Sequence, residues 1–194
     1  MFKQPNGFEI VQPQWIDDFS QTYVATADIA KRMAFVIAAA RRNIVEKTGG
    51  PFAAAVFESV SGKLVSLAVN VVTTQRLSIL HAEMVAITIA QKKLATYDLG
   101  GKALPNHDLF ASTEPCAMCF GAIPWSGVRR VVTAAEDSDA RKIGFDEGPK
   151  PGDWAASLRE RGIEVISDVE RQQAVGVLDF YLASHGHIYN SREA

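Results

Sequence analysis

A histidine and a glutamate one residue apart, followed by two cysteines three positions apart, constrain this chain more than any other feature. The two segments read His81-Ala82-Glu83 and Pro115-Cys116-Ala117-Met118-Cys119. One imidazole and two thiolates can bind zinc and leave a fourth position open for water, which is the catalytic form of a zinc site. We therefore predict one zinc ion per chain, held by His81, Cys116 and Cys119. A carboxylate beside the open position can move protons on and off the water, so Glu83 is the predicted proton shuttle.

Each half of this pattern has an ordinary alternative. A single histidine in an apolar segment usually belongs to the core, and a C-x-x-C pair also occurs in redox dithiols and in closed zinc sites. The chain has only two cysteines, so it cannot build an all-cysteine zinc site by itself. A redox dithiol does not need the upstream histidine and glutamate. A non-catalytic zinc or redox module stays an alternative, and the presence of Glu83 argues against it.

The composition is that of an ordinary globular protein. The 194 residues are 47% hydrophobic and 22% charged, with a formal net charge of −2 and a pI near 6.1. This length favours a single domain over residues 1–194. The absence of a basic excess argues against a nucleic-acid partner. The first 20 residues lack a basic start followed by an apolar run, and no apolar run is long enough for a membrane span, so we expect a cytoplasmic protein without a membrane partner.

Helical and strand patterns alternate along the chain. Residues 1–25 are predicted to form an irregular arm. Helices are predicted at 26–47, at 81–99, after Pro115, at 154–161 and at 169–184, and strands at 52–58, 64–70, 108–112, 128–134 and 163–166. Interleaved strands and helices predict a three-layer α/β/α domain. Residues 150–194 are expected to form a mainly helical C-terminal extension.

The ligands are expected at the beginnings of two helices. Cys116 and Cys119 are three positions apart, so they share one helix face. The free N–H groups and the dipole of a helix N-terminus favour thiolate over thiol. Two such helix ends that point at one site would also stabilise an anionic intermediate.

Several further segments strengthen a resemblance to a known family. These are Gly49-Gly50-Pro51-Phe52, Asn70 with Val72-Thr73-Thr74, Glu114 to Cys119 with Gly121-Ala122-Ile123 and Trp125, and Ala135-Glu136, Asp139-Ala140 and 143–147. Together with the zinc motif they resemble the cytidine-deaminase-like superfamily, and within it the guanine deaminase branch. The tRNA adenosine deaminase branch shares the first motifs but is not similar around Trp125 or in the segment that ends at Glu147.

The resemblance implies a cytidine-deaminase-like fold with a mixed central sheet, and hydrolysis of a cyclic amidine C–N bond that converts guanine to xanthine and ammonia. It implies that Asn70 hydrogen-bonds the purine edge, although a turn role is its ordinary alternative. Ala82 would contact the substrate through its backbone N–H, and Phe52 would stack under the base. Glu147 stands where many members have aspartate, and it would accept hydrogen bonds from the leaving amino group. In some relatives a tail aromatic closes the site, a role for which Tyr189 is the candidate here.

Two further expectations concern Trp125 and the assembly. Trp125 could form a wall of the substrate site or belong to the core. The last helix offers Val175, Leu178 and Leu182 on one side and Phe180 and Tyr181 on another, which together with the resemblance predicts a homodimer. The alternative functions are deamination of tRNA adenosine and deamination of another amino-heterocycle, such as an aminotriazine.

Overall fold

The computed structural model describes residues 2–190, which form one five-stranded sheet and eight helices. The strands are β1 (Ala53–Glu58), β2 (Leu64–Val69), β3 (His107–Thr113), β4 (Arg130–Ala135) and β5 (Glu164–Ile166). The helices are α1 (Trp15–Gln21), α2 (Ile29–Val45), α3 (Val72–Gln75), α4 (Ala82–Leu94), α5 (Ala117–Ser126), α6 (Asp137–Lys142), α7 (Trp154–Arg159) and α8 (Arg171–Ala183).

The sheet has the strand order β2-β1-β3-β4-β5 and is mixed. β1 pairs antiparallel with both β2 and β3, whereas β3, β4 and β5 run parallel. β1 is buried almost throughout, and its run of small residues, Ala53 to Ala55, lies between two neighbouring strands. The predicted α/β class and mixed central sheet are confirmed.

Helices cover both faces of the sheet. The guanidinium of Arg32, on α2, lies 5.9 Å from the ring centre of Phe57 on β1. The hydroxyl of Ser66, on β2, donates a hydrogen bond of 2.7 Å to the carbonyl of Ala86 on α4. Val56 pairs with Ser66 and therefore points to the same side, opposite to its neighbour Phe57. Hence α2 and α4 lie on opposite faces, which gives the three layers.

A buried ion pair fixes the end of the sheet where β3 begins. Asp108 accepts hydrogen bonds from Ser59 Oγ at 2.6 Å and from Arg32 Nη1 at 3.4 Å. The side chains of Arg32 and Asp108 are each only 1% exposed. Burial raises the pKa of Asp108, and the contacts with Ser59, Arg130 and Arg32 oppose that rise. The ion pair lies at the beginning of β3, whereas the end of β3 leads towards α5.

Some predicted elements need correction. The arm over residues 1–25 is not wholly irregular, because α1 forms at Trp15–Gln21 and buries Trp15 and Ile16. Within the C-terminal extension, the strand predicted at 163–166 forms β5, which adds an edge strand to the sheet. The short helix α6 was not predicted, although Glu136 and Asp139 form a capping box at its start. Residues 1 and 191–194 lie outside the described part, and a single domain over 1–194 stays a prediction.

The last helix offers less free apolar surface than the dimer prediction assumed, although Leu182 is exposed. Val177, Leu178 and Tyr181 are buried within the chain itself, where α8 packs against α2 and β4. Phe180 is covered by Arg41, whose guanidinium lies 4.2 Å from the ring centre. Within residues 2–190, no helix combines the length and the apolar character that crossing a bilayer requires.

Candidate active site

The N-terminal ends of α4 and α5 meet at one point. His81 is the N-cap of α4 and Cys116 is the N-cap of α5, both with extended backbone, and Cys119 is the third residue of α5. β3 runs directly into the loop before α5, and β2 leads through the short helix α3 to α4. The sheet therefore aims two helix N-termini at a common site, as the sequence predicted.

The three side chains have the spacing that a zinc ion needs. The candidate ligand atoms of His81, Cys116 and Cys119 lie within 4.8 Å of one another, and Cys116 Sγ is 3.4 Å from His81 Nδ1. Tetrahedral zinc, with bonds of about 2.0–2.3 Å, holds its ligand atoms roughly 3.3–3.8 Å apart. The donor set and the geometry thus fit zinc, with one coordination position left for water.

The two thiols are strongly coupled. A hydrogen bond from Cys119, assisted by His81, lowers the pKa of the Cys116 thiol to about 4 despite burial. The same hydrogen bond, together with burial, raises the pKa of Cys119 well above its usual value. Burial alone would lower the pKa of His81, but its contact with the Cys116 thiolate raises it. The chain thus holds one thiolate here before any metal binds.

Glu83 lies in the first turn of α4 beside this cluster. Its residue is only 8% exposed. Burial, followed by the negative charge of Cys116, raises the pKa of Glu83 to about 7. A carboxyl group whose pKa lies near neutrality can both accept and return a proton at cellular pH.

A small cavity of about 190 Å³ adjoins the cluster. Its lining residues come from six separate parts of the chain: Phe52, Asn70, Val72, Ser78, His81, Glu83, Glu114, Cys116, Phe145, Asp146, Glu147, Tyr189 and Asn190. Pockets for drug-sized ligands measure about 300–1,000 Å³, and a cavity of about 150 Å³ admits benzene. The volume therefore suits a single small heterocycle.

Asn70 is held by several hydrogen bonds and presents a donor to the cavity. Its N–H donates to the Phe52 carbonyl at 2.9 Å, and its own carbonyl accepts from Asn43 Nδ2 at 2.9 Å. Its Oδ1 accepts the N–H of Val72 at 3.2 Å. The side chain thus plays the turn role of an Asx motif, and the same bond leaves Nδ2 available to donate. Asn43, which sequence reasoning missed, also binds the Gly50 carbonyl at 2.8 Å.

Glu147 is the second carboxyl group that lines the cavity, and it is 7% exposed. Burial raises its pKa to about 8, and the negative charges of Cys116 and Glu83 add to the rise. Its backbone carbonyl accepts the N–H of Ala117 at 2.9 Å, which ties its loop to the start of α5. The structure therefore brings together the two carboxyl groups that the sequence predicted to be catalytic.

The C-terminal segment covers the cavity. Tyr189 lies edge-on to Phe145, with ring centres 5.1 Å apart, and its hydroxyl is buried without a hydrogen-bond partner among residues 2–190. Asn190 accepts from the N–H of Asp146 at 2.9 Å and donates to the Gly144 carbonyl at 2.8 Å. Gly50 permits this closure, since a β-carbon there would collide with the Tyr189 hydroxyl.

Comparison with known proteins agrees with this geometry. The family model for the cytidine and deoxycytidylate deaminase zinc-binding region matches residues 27–135, more than half of the chain. The chain belongs to this zinc deaminase family. The matched range contains all three candidate ligands and Glu83.

The relatives place this zinc deaminase in the guanine deaminase branch. A solved structure of guanine deaminase from Nitrosomonas europaea is 42% identical, with a TM-score of 0.88, and the alignment covers 94% of this chain and 100% of that one. A structure of NE0047 with 2,6-diaminopurine is 44% identical, with a TM-score of 0.88, over 95% and 97% of the two chains. Bacillus subtilis guanine deaminase is 40% identical over 51% of this chain and 59% of its own length, so the matched region spans less than two thirds of that protein.

A tRNA-specific adenosine deaminase is a more distant relative of this zinc deaminase. The enzyme of that name from Bacillus subtilis is 32% identical over 63% of this chain and 70% of its own length. Solved tRNA:A34 deaminases share 22% identity at a TM-score of 0.57, which shows the common fold alone.

Three further residues were predicted to contact the substrate, and they lie in different surroundings. Phe52 lines the cavity and lies edge-on to Phe145, with ring centres 4.9 Å apart. Trp125 is 85% exposed on the outer face of α5 and does not line the cavity, so its prediction as a substrate wall is wrong for the cavity of its own chain. Ala82 is fully buried as the first residue of α4, between His81 and Glu83, and its backbone contact stays a prediction.

The raised pKa of Glu147 makes a prediction for the metal-free zinc deaminase. An unfolded glutamate has a pKa near 4.3, so the folded chain binds more protons between that value and about 8. The stability contributed by this proton is present below the lower value and is lost as pH rises through the upper one. Between pH 5 and pH 8.5, metal-free Glu147→Gln should therefore lose less free energy of unfolding than the parent chain, by more than about 1 kcal/mol.

Urea unfolding of chelator-treated protein at the two pH values measures this difference. Glu160→Gln, which changes an exposed glutamate at the C-terminal end of α7, is the matched control. Equal pH dependence of Glu147→Gln and Glu160→Gln would contradict a buried, protonated Glu147.

Proposed function

We propose that this zinc deaminase hydrolyses guanine to xanthine and ammonia. The observation that carries the proposal is the placement of Glu83 and Glu147, two buried carboxyl groups with raised pKa values, on one small cavity beside the three-ligand set. Deamination needs one group to deprotonate the attacking water and a group to protonate the leaving nitrogen. Two buried carboxyl groups on one cavity supply both capacities.

The metal and Glu83 would act on the water. When bound, zinc lowers the pKa of a coordinated water toward 7 and polarises it for attack. His81, Cys116 and Cys119 would hold the ion, and the carboxylate of Glu83 would accept the water's proton and deliver it to ring nitrogen N3 of the base. The helix N-termini at His81 and Cys116 would stabilise the negative charge that develops.

The remaining residues would select and orient the base. Phe52 offers an aromatic face for stacking, and Asn70 Nδ2 offers a donor to the purine edge. The backbone N–H of Ala82 is the further contact that the resemblance implies. Glu147 would accept hydrogen bonds from the exocyclic amino group and would pass a proton to the nitrogen as it leaves. The hydroxyl of Tyr189, which has no protein partner among the described residues, is a further polar group for the substrate.

The cavity favours a free base over a nucleoside or an anticodon loop. Its volume of about 190 Å³ leaves little room beyond one heterocycle, and Tyr189 and Asn190 lie over it. Base-flipping deaminases must also bind the flanking nucleotides, and the formal net charge of −2 gives no general attraction for phosphates. These observations rank the tRNA alternative below guanine, while an aminotriazine of similar size remains the second candidate substrate.

A panel of amino-heterocycles tests this function. Ammonia release should be measured with guanine, guanosine, adenine, cytosine, an aminotriazine and an anticodon stem-loop. We expect kcat/KM for guanine to exceed that for guanosine by at least about 100-fold, because the enclosed cavity excludes the ribose. If the enzyme instead turned over the stem-loop preferentially, the proposed substrate would be tRNA adenosine and not guanine.

Replacement of Glu83 by glutamine should separate proton transfer from metal binding. The amide can still hydrogen-bond water but cannot carry its proton, so turnover should fall by at least about 10²–10⁴-fold. The zinc content, measured by plasma mass spectrometry, should stay near one ion per chain. Near-parental turnover of Glu83→Gln, or full activity in protein that lacks zinc, would refute the proposed chemistry.

A homodimer is the proposed assembly, and the exposed face of α5 is its proposed interface. Ala117–Ser126 contains no charged residue, and its outer face carries Trp125, 85% exposed, and Met118, 36% exposed. A second copy of the same helix is the matching surface for such an uncharged face, since a two-fold interface uses one patch twice. The cytoplasmic location stays a prediction from the sequence.

Trp125→Glu should therefore dissociate the dimer, because the substitution places two charges in a self-associating apolar face. Leu182→Glu is the matched control, since Leu182 is 50% exposed on α8, the surface that the sequence had suggested. Sedimentation velocity at micromolar concentration should show a parental dimer, a monomeric Trp125→Glu and a dimeric Leu182→Glu. The opposite pattern would place the interface on α8.

A further inference from the structure

A lysine is buried behind the wall of the active-site cavity. The side chain of Lys150 is only 8% exposed, and it is not among the residues that line the cavity. Its Nζ donates to the carbonyl of Pro115 at 3.0 Å. It also pairs with Asp137 Oδ1 at 3.0 Å and with Glu114 Oε2 at 3.5 Å. The ammonium lies 5.4 Å from the ring centre of Trp154, which begins α7.

This arrangement is unusual for a lysine. Lysine is almost never buried without partners, because removing its charge from water is costly. Here two carboxylates, one carbonyl and an aromatic face compensate the buried ammonium. A side chain that only fills space could be apolar, so the retention of a charge indicates that its directional contacts matter.

Lys150 joins two segments that carry reacting groups. Pro115, whose carbonyl it binds, immediately precedes the ligand Cys116. Lys150 itself lies three positions after Glu147, in the same loop between α6 and α7. The N–H of Ala117 binds the Glu147 carbonyl at 2.9 Å, so the loop and the start of α5 are tied at two points. Neither point belongs to a helix or a strand pairing.

Glu114 is fixed by the same cluster. Its Oε2 accepts the N–H of Asp137 at 3.1 Å and faces Lys150, and the residue lines the cavity. If the ammonium were removed, Glu114 and Asp137 would be left as neighbouring carboxylates with less compensation. Their repulsion would displace Glu114 and the segment before Cys116 from the start of α6.

We propose that Lys150 is a positioning residue of the deaminase, which sets the location of the Glu147 carboxyl group relative to the metal ligand Cys116. It acts through the Pro115 carbonyl and Glu114 and does not touch the substrate. The expected effect on turnover rests on the proposed function. The expected effect on the position of Glu147 rests only on the hydrogen bonds described above. A displacement of about 1 Å in a reacting group can cost about 10²-fold in rate.

Three variants test the role. Lys150→Met keeps the length and removes the charge, Lys150→Gln keeps one donor without the charge, and Lys150→Arg keeps both charge and donors. Lys93→Met is the matched control, because Lys93 Nζ donates to the Val65 carbonyl at 2.8 Å from the far end of α4. Each protein is loaded with zinc, and its metal content, kcat and KM for guanine are measured.

We expect kcat of Lys150→Met to fall by about 10–100-fold, with KM within about threefold of the parental value and zinc content unchanged. Lys150→Gln should be intermediate, and Lys150→Arg should recover most of the turnover. Lys93→Met should match the parental enzyme. A parental kcat in Lys150→Met, a loss that follows zinc loss, or no recovery in Lys150→Arg would overturn the proposal.

Crystal structures of zinc-loaded parental enzyme and Lys150→Met provide a readout that does not depend on guanine turnover. The Glu147 carboxyl group should move by about 1 Å or more relative to Cys116 Sγ. If Lys150→Met does not fold, the structure of Lys150→Gln decides in its place. An unmoved Glu147 overturns the positioning role, whereas a moved Glu147 in an enzyme that does not deaminate guanine supports it and refutes only the proposed substrate.

Discussion

The whole site depends on a concentration of ionisable groups that folding by itself opposes. Within one small cavity and its base the chain brings together five groups, the half-buried His81 and the buried Cys116, Cys119, Glu83 and Glu147. Without a cation these groups titrate against one another, and the Cys116 thiolate contributes to the raised pKa values of both glutamates. Two helix N-termini supply partial positive charge, but a divalent cation supplies far more. The fold meets this constraint at one edge of the sheet, where β3 ends and α4 begins, because all five groups come together there.

The sequence predicts those parts of the site whose residues lie close together along the chain. Two cysteines three positions apart share a helix face wherever that helix packs. His81 is the extended N-cap of α4 and Glu83 lies in its first turn, so the two residues share one helix end. The placement of Asn70 after a buried strand likewise follows from a strand that ends in a turn. For this reason the metal ligands and Glu83 could be named from the residues themselves, and the order of strands and helices predicted the α/β/α layers. The substrate role of Asn70 and the mixed sheet were implied only by the family resemblance.

The predictions were less successful where they depended on which face of a helix a residue occupies, or on contacts between distant parts of the chain. Trp125 lies six positions after Cys119, which turns it about 240° around the helix axis and away from the ligand face; a helical-wheel comparison with Cys119 and Ile123 would have shown this. The apolar residues of α8 were interpreted as a dimer surface, but the sequence does not reveal that Leu178 and Tyr181 are already buried where α8 packs against α2 and β4. Tyr189 was not an error, but only the family resemblance suggested it. It follows His81 by more than a hundred positions, and its place on the cavity depends on Gly50, Phe145 and the hydrogen bonds of Asn190.

The residues that are close together along the chain also differ in proposed role from those brought in from far away. The first group is proposed to activate water, and the second to select the base. The family match ends at residue 135, after all three ligands and Glu83 but before Glu147, Lys150 and Tyr189. Relatives within this family carry names as different as guanine deaminase, tRNA-specific adenosine deaminase and probable cytosine deaminase. The shared range therefore holds the three candidate zinc ligands and Glu83, while Phe145, Asp146, Glu147, Tyr189 and Asn190, which also line the cavity, lie outside it, in the loop at 144–150 and the segment at 186–190. Because these segments are joined to the zinc half by a few hydrogen bonds outside helices and sheets, they can change without disturbing the metal site. Substrate range in such a fold is then determined less by the zinc motif than by how firmly these segments are tied to it.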